Sequence, residues 1–153
     1  MNSSGKVVAV NISPKKGTRK KNVGSSCLLT GLGLRDDAHA APGNRQVSLL
    51  AQESIDKMVR LGLKVGPGDF AENLTTQGLD LLALPLGTRF RIGEHTLLEV
   101  TQIGKVCHTR CAIYSPAGDC VMPKEGIFAQ VLEGGEIKVG DEIHVLGGNS
   151  DHQ

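Results

Sequence analysis

The sequence predicts a mainly β protein, a β-barrel with few helices. Three observations carry that expectation. Apolar residues recur in short runs rich in β-branched side chains, glycine-containing turns separate those runs at close spacing, and only one window has helical periodicity. About eight strands with one helix fit a closed barrel better than a sheet of β-α-β units.

The elements follow in chain order. Residues 6–12 form a first strand built on Val7, Val8 and Val10, and residues 14–22 a polar, basic loop. Residues 23–30 and 46–50 are further strands. From Gln52 to Leu61 the apolar set Ile55, Met58 and Val59 has i, i+3, i+4 spacing, and Gly62 can end that helix. After Pro67-Gly68, residues 69–76 alternate as a strand would. Residues 88–92 and 95–103 flank Gly93-Glu94, a two-residue hairpin signal. Residues 127–132, 136–139 and 143–146 are the last strands, separated by Gly134-Gly135 and Gly140-Asp141. The domain is expected to span 6–146, with frayed ends at 1–5 and 147–153.

Length and composition bound the function. A chain of 153 residues suits one domain with its own core. A net charge of +1 supplies no global field for nucleic acid or an anionic membrane. One Tyr, three Phe and no Trp argue against a base-stacking surface. The apolar run 7–10 is too short for a signal core or a membrane span, so a cytoplasmic location is expected. There, Cys27, Cys107, Cys111 and Cys120 would serve as reduced, catalytic or metal-binding thiols rather than a disulfide framework.

Cys107 is the candidate catalytic residue. It follows a strand end and is flanked by Lys105, His108 and Arg110. Nearby positive charge favours the thiolate, the form that attacks electrophiles, carries sulfur or binds metal. The bland alternative is a small buried apolar residue.

Four other patterns bear on chemistry. The loop from Asp36 to Leu50 gathers Asp36, Asp37, His39, Arg45, Gln46 and Ser48. It reads either as an anion site clamped by Arg45, with Gln46 or Ser48 as donors, or as a hydrated turn pairing Asp37 with Arg45. The segment 66–76 holds Asp69, Glu72, Asn73 and two threonines. It could hydrogen-bond a heterocycle or be a strand with a polar outer face. Lys15, Lys16, Arg19, Lys20 and Lys21 are five cations in seven residues, read as a solvated loop or a phosphate grip. Cys107, His108, Cys111 and Cys120 could hold zinc in a zinc-stabilised barrel, but three and eight intervening residues between the thiols do not match paired zinc-ligand spacings.

Taken together, the ordered pieces 12–18, 37–40, 45–50, 68–75, 99–108, 118–123, 125–129 and 140–143 resemble a small stand-alone bacterial MOSC domain, the family named after the carboxy-terminal domain of molybdenum cofactor sulfurase. The likeness runs over residues 6–146. It implies a MOSC-type β-barrel whose Cys107 ligates molybdenum or carries sulfur, in a pyridoxal phosphate-associated family. The implied cofactor is the molybdenum cofactor, molybdopterin. Implied activities are sulfur carriage, molybdenum-dependent reduction of N-hydroxylated compounds, or a non-catalytic adaptor role in molybdopterin biosynthesis. The implied partners are molybdopterin-biosynthesis or sulfurtransferase proteins, with neither nucleic acid nor membrane. Carried over by position, Lys15, Lys16, Arg19 and Arg45 would clamp the pterin phosphate. His39, Gln46, Glu72, Asn73, Lys105 and His108 would complete the cofactor-binding set. The family usually reads Gly-Asp-Ala-His-Ala-Gly where this chain has Asp36-Asp37-Ala38-His39-Ala40-Ala41. Losing both glycines removes two positions suited to positive φ, so a changed loop and weaker ligand affinity are expected.

Overall fold

The structure, a computed structural model, describes residues 4–13, 20–38, 40–70, 72–103 and 126–147. Its strands are β1 (Ser4–Ile12), β2 (Lys21–Asn22), β3 (Ser25–Leu29), β4 (Gly33–Leu34), β5 (Val47–Ala51), β6 (Leu74–Gln77), β7 (Arg89–Ile92), β8 (Thr96–Ile103), β9 (Ile127–Glu133), β10 (Gly135–Lys138) and β11 (Glu142–Gly147). Helix α1 (Gln52–Arg60) follows β5, and a single 3-10 turn covers Leu81–Ala83.

Seven strands close into a barrel in the order β11-β7-β8-β9-β5-β6-β1, because β1 returns to pair with β11. Closure leaves the barrel wall without a free edge. Among the described strands, only β5 and β6 run parallel. A parallel pair needs a crossover, and α1 with the loop after it supplies one. Strands β10, β3 and β4 form a separate three-stranded sheet.

The pleat sorts side chains to the two faces of the wall. Val47 and Leu49 of β5, Ile127 and Ala129 of β9, and Leu98 and Val100 of β8 share the inner core with Phe90, Ile92 and Ile143. Leu50 and Phe128, from alternate positions, join Ile55, Met58 and Phe70 in an outer cluster beneath α1. Full burial of Ile55 and Met58 contributes about 1.5–3 kcal/mol each. The helix stops where predicted, with the Gly62 amide bonded to the Val59 carbonyl. Val59 departs from the predicted stripe and is exposed, facing away from the outer cluster.

Other boundaries are corrected by local geometry. Ser4 and Gly5, assigned to the frayed end, pair with His144 and Ile143. A Cβ on Gly5 would stand 2.7 Å from the Gln77 carbonyl oxygen, so glycine permits that close approach. The hairpin turn has three residues, since Ile92 pairs with Thr96. Asp69, Phe70, Glu72 and Asn73 are not strand. Gly68 turns the chain at φ +89, the Asp69 amide bonds the Gly66 carbonyl, and β6 starts at Leu74. No helix among the described residues is long and apolar enough to cross a membrane.

Candidate functional site

In sequence, Cys107 lies between β8, which ends at Ile103, and β9, which begins at Ile127, and these two residues are Cα partners. Cys107, Lys105 and His108 lie outside the described residues, as do Lys15, Lys16, Arg19 and His39. So do Cys111 and Cys120 of the alternative zinc set.

Arg45 stands beside the end of β8. Its Nε donates to Gln102 Oε1 at 3.2 Å, one residue before the end of β8. Its guanidinium lies over the Phe128 ring, 5.5 Å from the centroid. An exposed contact of that kind contributes about 0.5–1 kcal/mol. The terminal nitrogens of Arg45 have no hydrogen-bond partner among the described residues, so they can meet an anion. Asp37 is not its partner.

Asp37 instead pairs with Lys20. Asp37 Oδ1 accepts from Lys20 Nζ at 2.7 Å and from the Ser13 amide at 3.0 Å, while Oδ2 accepts from Asn73 Nδ2 at 3.1 Å. The Lys20 side chain is fully buried, which removes it from the solvated basic loop. Burial pushes the Asp37 carboxyl up, but the Lys20 ammonium, the Ser13 amide and Asn73 together outweigh burial and hold it below its ordinary value. The resulting stabilisation is complete above the ordinary aspartate value of 3.8 and is lost as pH falls from there through the folded value. Because Ser13 and Lys20 both bind Asp37, one carboxylate fastens the two described residues that flank positions 14–19.

Asn73 knits the wall together. Its Oδ1 accepts from the Ser48 amide at 3.0 Å and from Ser48 Oγ at 3.3 Å, and its Nδ2 also reaches the Asn11 carbonyl at 3.3 Å. Gln46 is similarly engaged: Nε2 donates to the Gly43 carbonyl at 3.0 Å, and Oε1 accepts from the Val131 amide at 2.9 Å. Both amides are thus held by the protein's own backbone. Glu72 is buried, with Oε2 accepting from the Gly68 amide at 2.9 Å and from Thr75 Oγ1 at 2.6 Å. The polar groups of 66–76 therefore face inward under the loop, where a strand with a polar outer face had been one expectation. Ser13, Lys20 and Asn11 were not assigned to this cluster by sequence reasoning, which had grouped only Thr75 with Glu72 and Asn73. Their partners are too distant along the chain for local spacing to reveal them.

Asp36, which stands where the family pattern has glycine, holds φ 68 and is the one non-glycine residue of positive φ among those described. A left-handed conformation carries a local cost at a residue with a Cβ. Asp36→Gly is expected to raise the unfolding midpoint, by up to about 1 kcal/mol in stability. Chemical denaturation checks this; a lower midpoint would show that Asp36 makes a stabilising contact.

A closed barrel of seven strands, with a buried ionic knot in its wall, defines a small β-barrel domain. The sequence matches the MOSC domain family over residues 35–144, and the chain belongs to that family. The family is linked to the carboxy-terminal domains of molybdenum cofactor sulfurases. The fold is similar to that of the YuaD protein from Bacillus subtilis, with a TM-score of 0.78, 20% identity, and coverage of 93% of this chain and 95% of that one. It is also similar to YiiM from Escherichia coli, with a TM-score of 0.69 and 23% identity, covering 98% and 73%. YiiM from Geobacillus stearothermophilus gives a TM-score of 0.70 at 21% identity, covering 93% and 75%. At these identities the likeness concerns the fold. No curated protein matches the chain.

Proposed function

We propose that this protein handles the molybdenum cofactor or its sulfur through Cys107. The observation that carries the proposal is the sequence between β8 and β9: Lys105, Cys107, His108 and Arg110 follow closely after Ile103, in a chain of the MOSC family. When bound, a molybdenum centre supplies a redox-active metal with affinity for soft sulfur ligands.

The chain's own groups have separable tasks. Lys105 and Arg110 favour the Cys107 thiolate, the form required both for ligation and for carrying sulfur. Arg45, with free terminal donors on a ring-supported guanidinium, suits the phosphate of a pterin. The buried Glu72, Asn73 and Gln46 brace the barrel wall and its adjoining loop.

A limiting amount of a thiolate-directed alkylating reagent at neutral pH should label Cys107 well before Cys27. Cys27 is half-buried on β3 and has no comparable run of cations beside it in sequence. Peptide mass spectrometry reads the order, and equal or slower labelling of Cys107 would remove the reactive thiolate from the proposal.

A further inference from the structure

Glu72 lies at the centre of a second buried cluster that the proposed chemistry does not use. Its Oε2 is satisfied twice, by the Gly68 amide and the Thr75 hydroxyl. Thr75 in turn accepts from Asn11 Nδ2 at 3.0 Å. The remaining oxygens of the two polar side chains, Glu72 Oε1 and Asn11 Oδ1, are both buried and have no hydrogen-bond partner among the described residues. Two acceptors joined through one hydroxyl thus lack a donor. A carboxylate cannot supply one; a carboxylic acid can.

We infer that Glu72 is carried as the neutral acid in the folded protein, and that its proton latches the turn at Gly68 onto β1 and β6. The surrounding charges agree. From the residue 20 stem, Lys20 presents its backbone to Gly68, with its ammonium committed to Asp37. Asp37 reaches this region through Asn73, and Asp69 of the loop turns its carboxylate to the Gly66 amide. No ion pair reaches Glu72 among the described residues, so no cation compensates for an ionised form there. Burial drives its carboxyl above the ordinary glutamate value, against the Gly68 and Thr75 hydrogen bonds that favour the anion. The latch matters beyond its own loop, because the Gly68 carbonyl holds the Lys20 amide at 2.8 Å. Release of Gly68 loosens the stem that carries the Lys20–Asp37 pair.

The sign follows from linkage. A carboxyl whose folded pKa is raised contributes its full stabilisation below the unfolded value and loses it as pH rises through the folded one. Hydrogen exchange at the Gly68 amide, corrected for its intrinsic rate, reads the opening of the latch. In the wild-type protein the opening constant should climb by up to about tenfold per pH unit upward from the ordinary glutamate value of 4.5, then level off above the folded pKa. Glu72→Gln keeps an acceptor and gains a donor, so its opening constant should be flat over the same range. The side-chain carboxyl carbon of Glu72, followed by nuclear magnetic resonance in the wild-type protein, should titrate above the ordinary range, whether or not the variant folds. An anionic Glu72 signal down to pH 4.5 would overturn the inference. So would an opening constant that follows sodium or potassium concentration at fixed pH, which would assign the vacant oxygens to a metal cation.

Discussion

Lys20→Met should destabilise the barrel by about 3–5 kcal/mol, the scale for breaking one side of a buried ion pair. The substitution removes the ammonium 2.7 Å from Asp37 Oδ1 and leaves a buried carboxylate that keeps the Ser13 amide and Asn73 Nδ2 among its donors. Its pH dependence provides the diagnostic. With Lys20 absent, burial is opposed by fewer groups, so the Asp37 pKa rises and the variant should begin to lose stability at a higher pH than wild type. Adding Asp37→Leu should recover part of the loss by removing the stranded charge. Recovery stays partial because Ser13 and Asn73 then lose their acceptor. Urea denaturation of both single variants and the pair gives the coupling energy. A loss below about 1 kcal/mol in Lys20→Met would place Lys20 on the surface after all.

Gly68→Ala should cost about 2–5 kcal/mol, combining backbone strain with a steric clash. Gly68 has φ +89, and a Cβ there would stand 2.2 Å from the Lys20 carbonyl oxygen. That atom belongs to backbone held by a hydrogen bond in the reverse direction, from the Lys20 amide to the Gly68 carbonyl, so it cannot simply swing away. Gly24 is the matched control. Its φ is +83, with nothing within 4 Å of an added Cβ, so Gly24→Ala should show only the left-handed penalty of about 1–2 kcal/mol. Equal losses at the two sites would mean that the contact between residues 20 and 68 is not rigid.

The two sites also show where sequence reading stops. Strands such as β8 were legible because their apolar side chains face a core and are regularly spaced: Leu98 and Val100 are buried in the barrel. The α1 stripe was legible for the same reason, through Ile55 and Met58. Lys20 was not. A cation at the end of a basic run looks solvated until its partner, 17 residues further on, is brought beside it by the fold. Glu72 and Asn73 were singled out as polar groups beside Phe70, but their alternation suggested a strand. The turn at Gly68 instead sets Glu72 against Gly68 and Thr75, and Asn73 against β1 and β5. Arg45 was legible by charge alone, whereas its support on Phe128 depends on β9 packing beside β5. The family came from the order of several motifs over nearly the whole chain, a signal that no single residue carries. Cys107 itself stands on that resemblance and on its cationic neighbours in sequence.

The most direct test is the molybdenum and pterin content of wild-type protein and Cys107→Ser, both purified from a host that makes the cofactor. The wild-type protein should carry molybdenum with pterin, or a persulfide on Cys107. The variant should lose that load by about tenfold or more with its Tm nearly unchanged, since a hydroxyl replaces the sulfur's volume but not its soft, polarisable donor. Equal loading of the two proteins would contradict a Cys107-centred role. Stoichiometric zinc in the wild type, with unfolding in strong chelator, would contradict the molybdenum reading and assign the three thiols to a structural site.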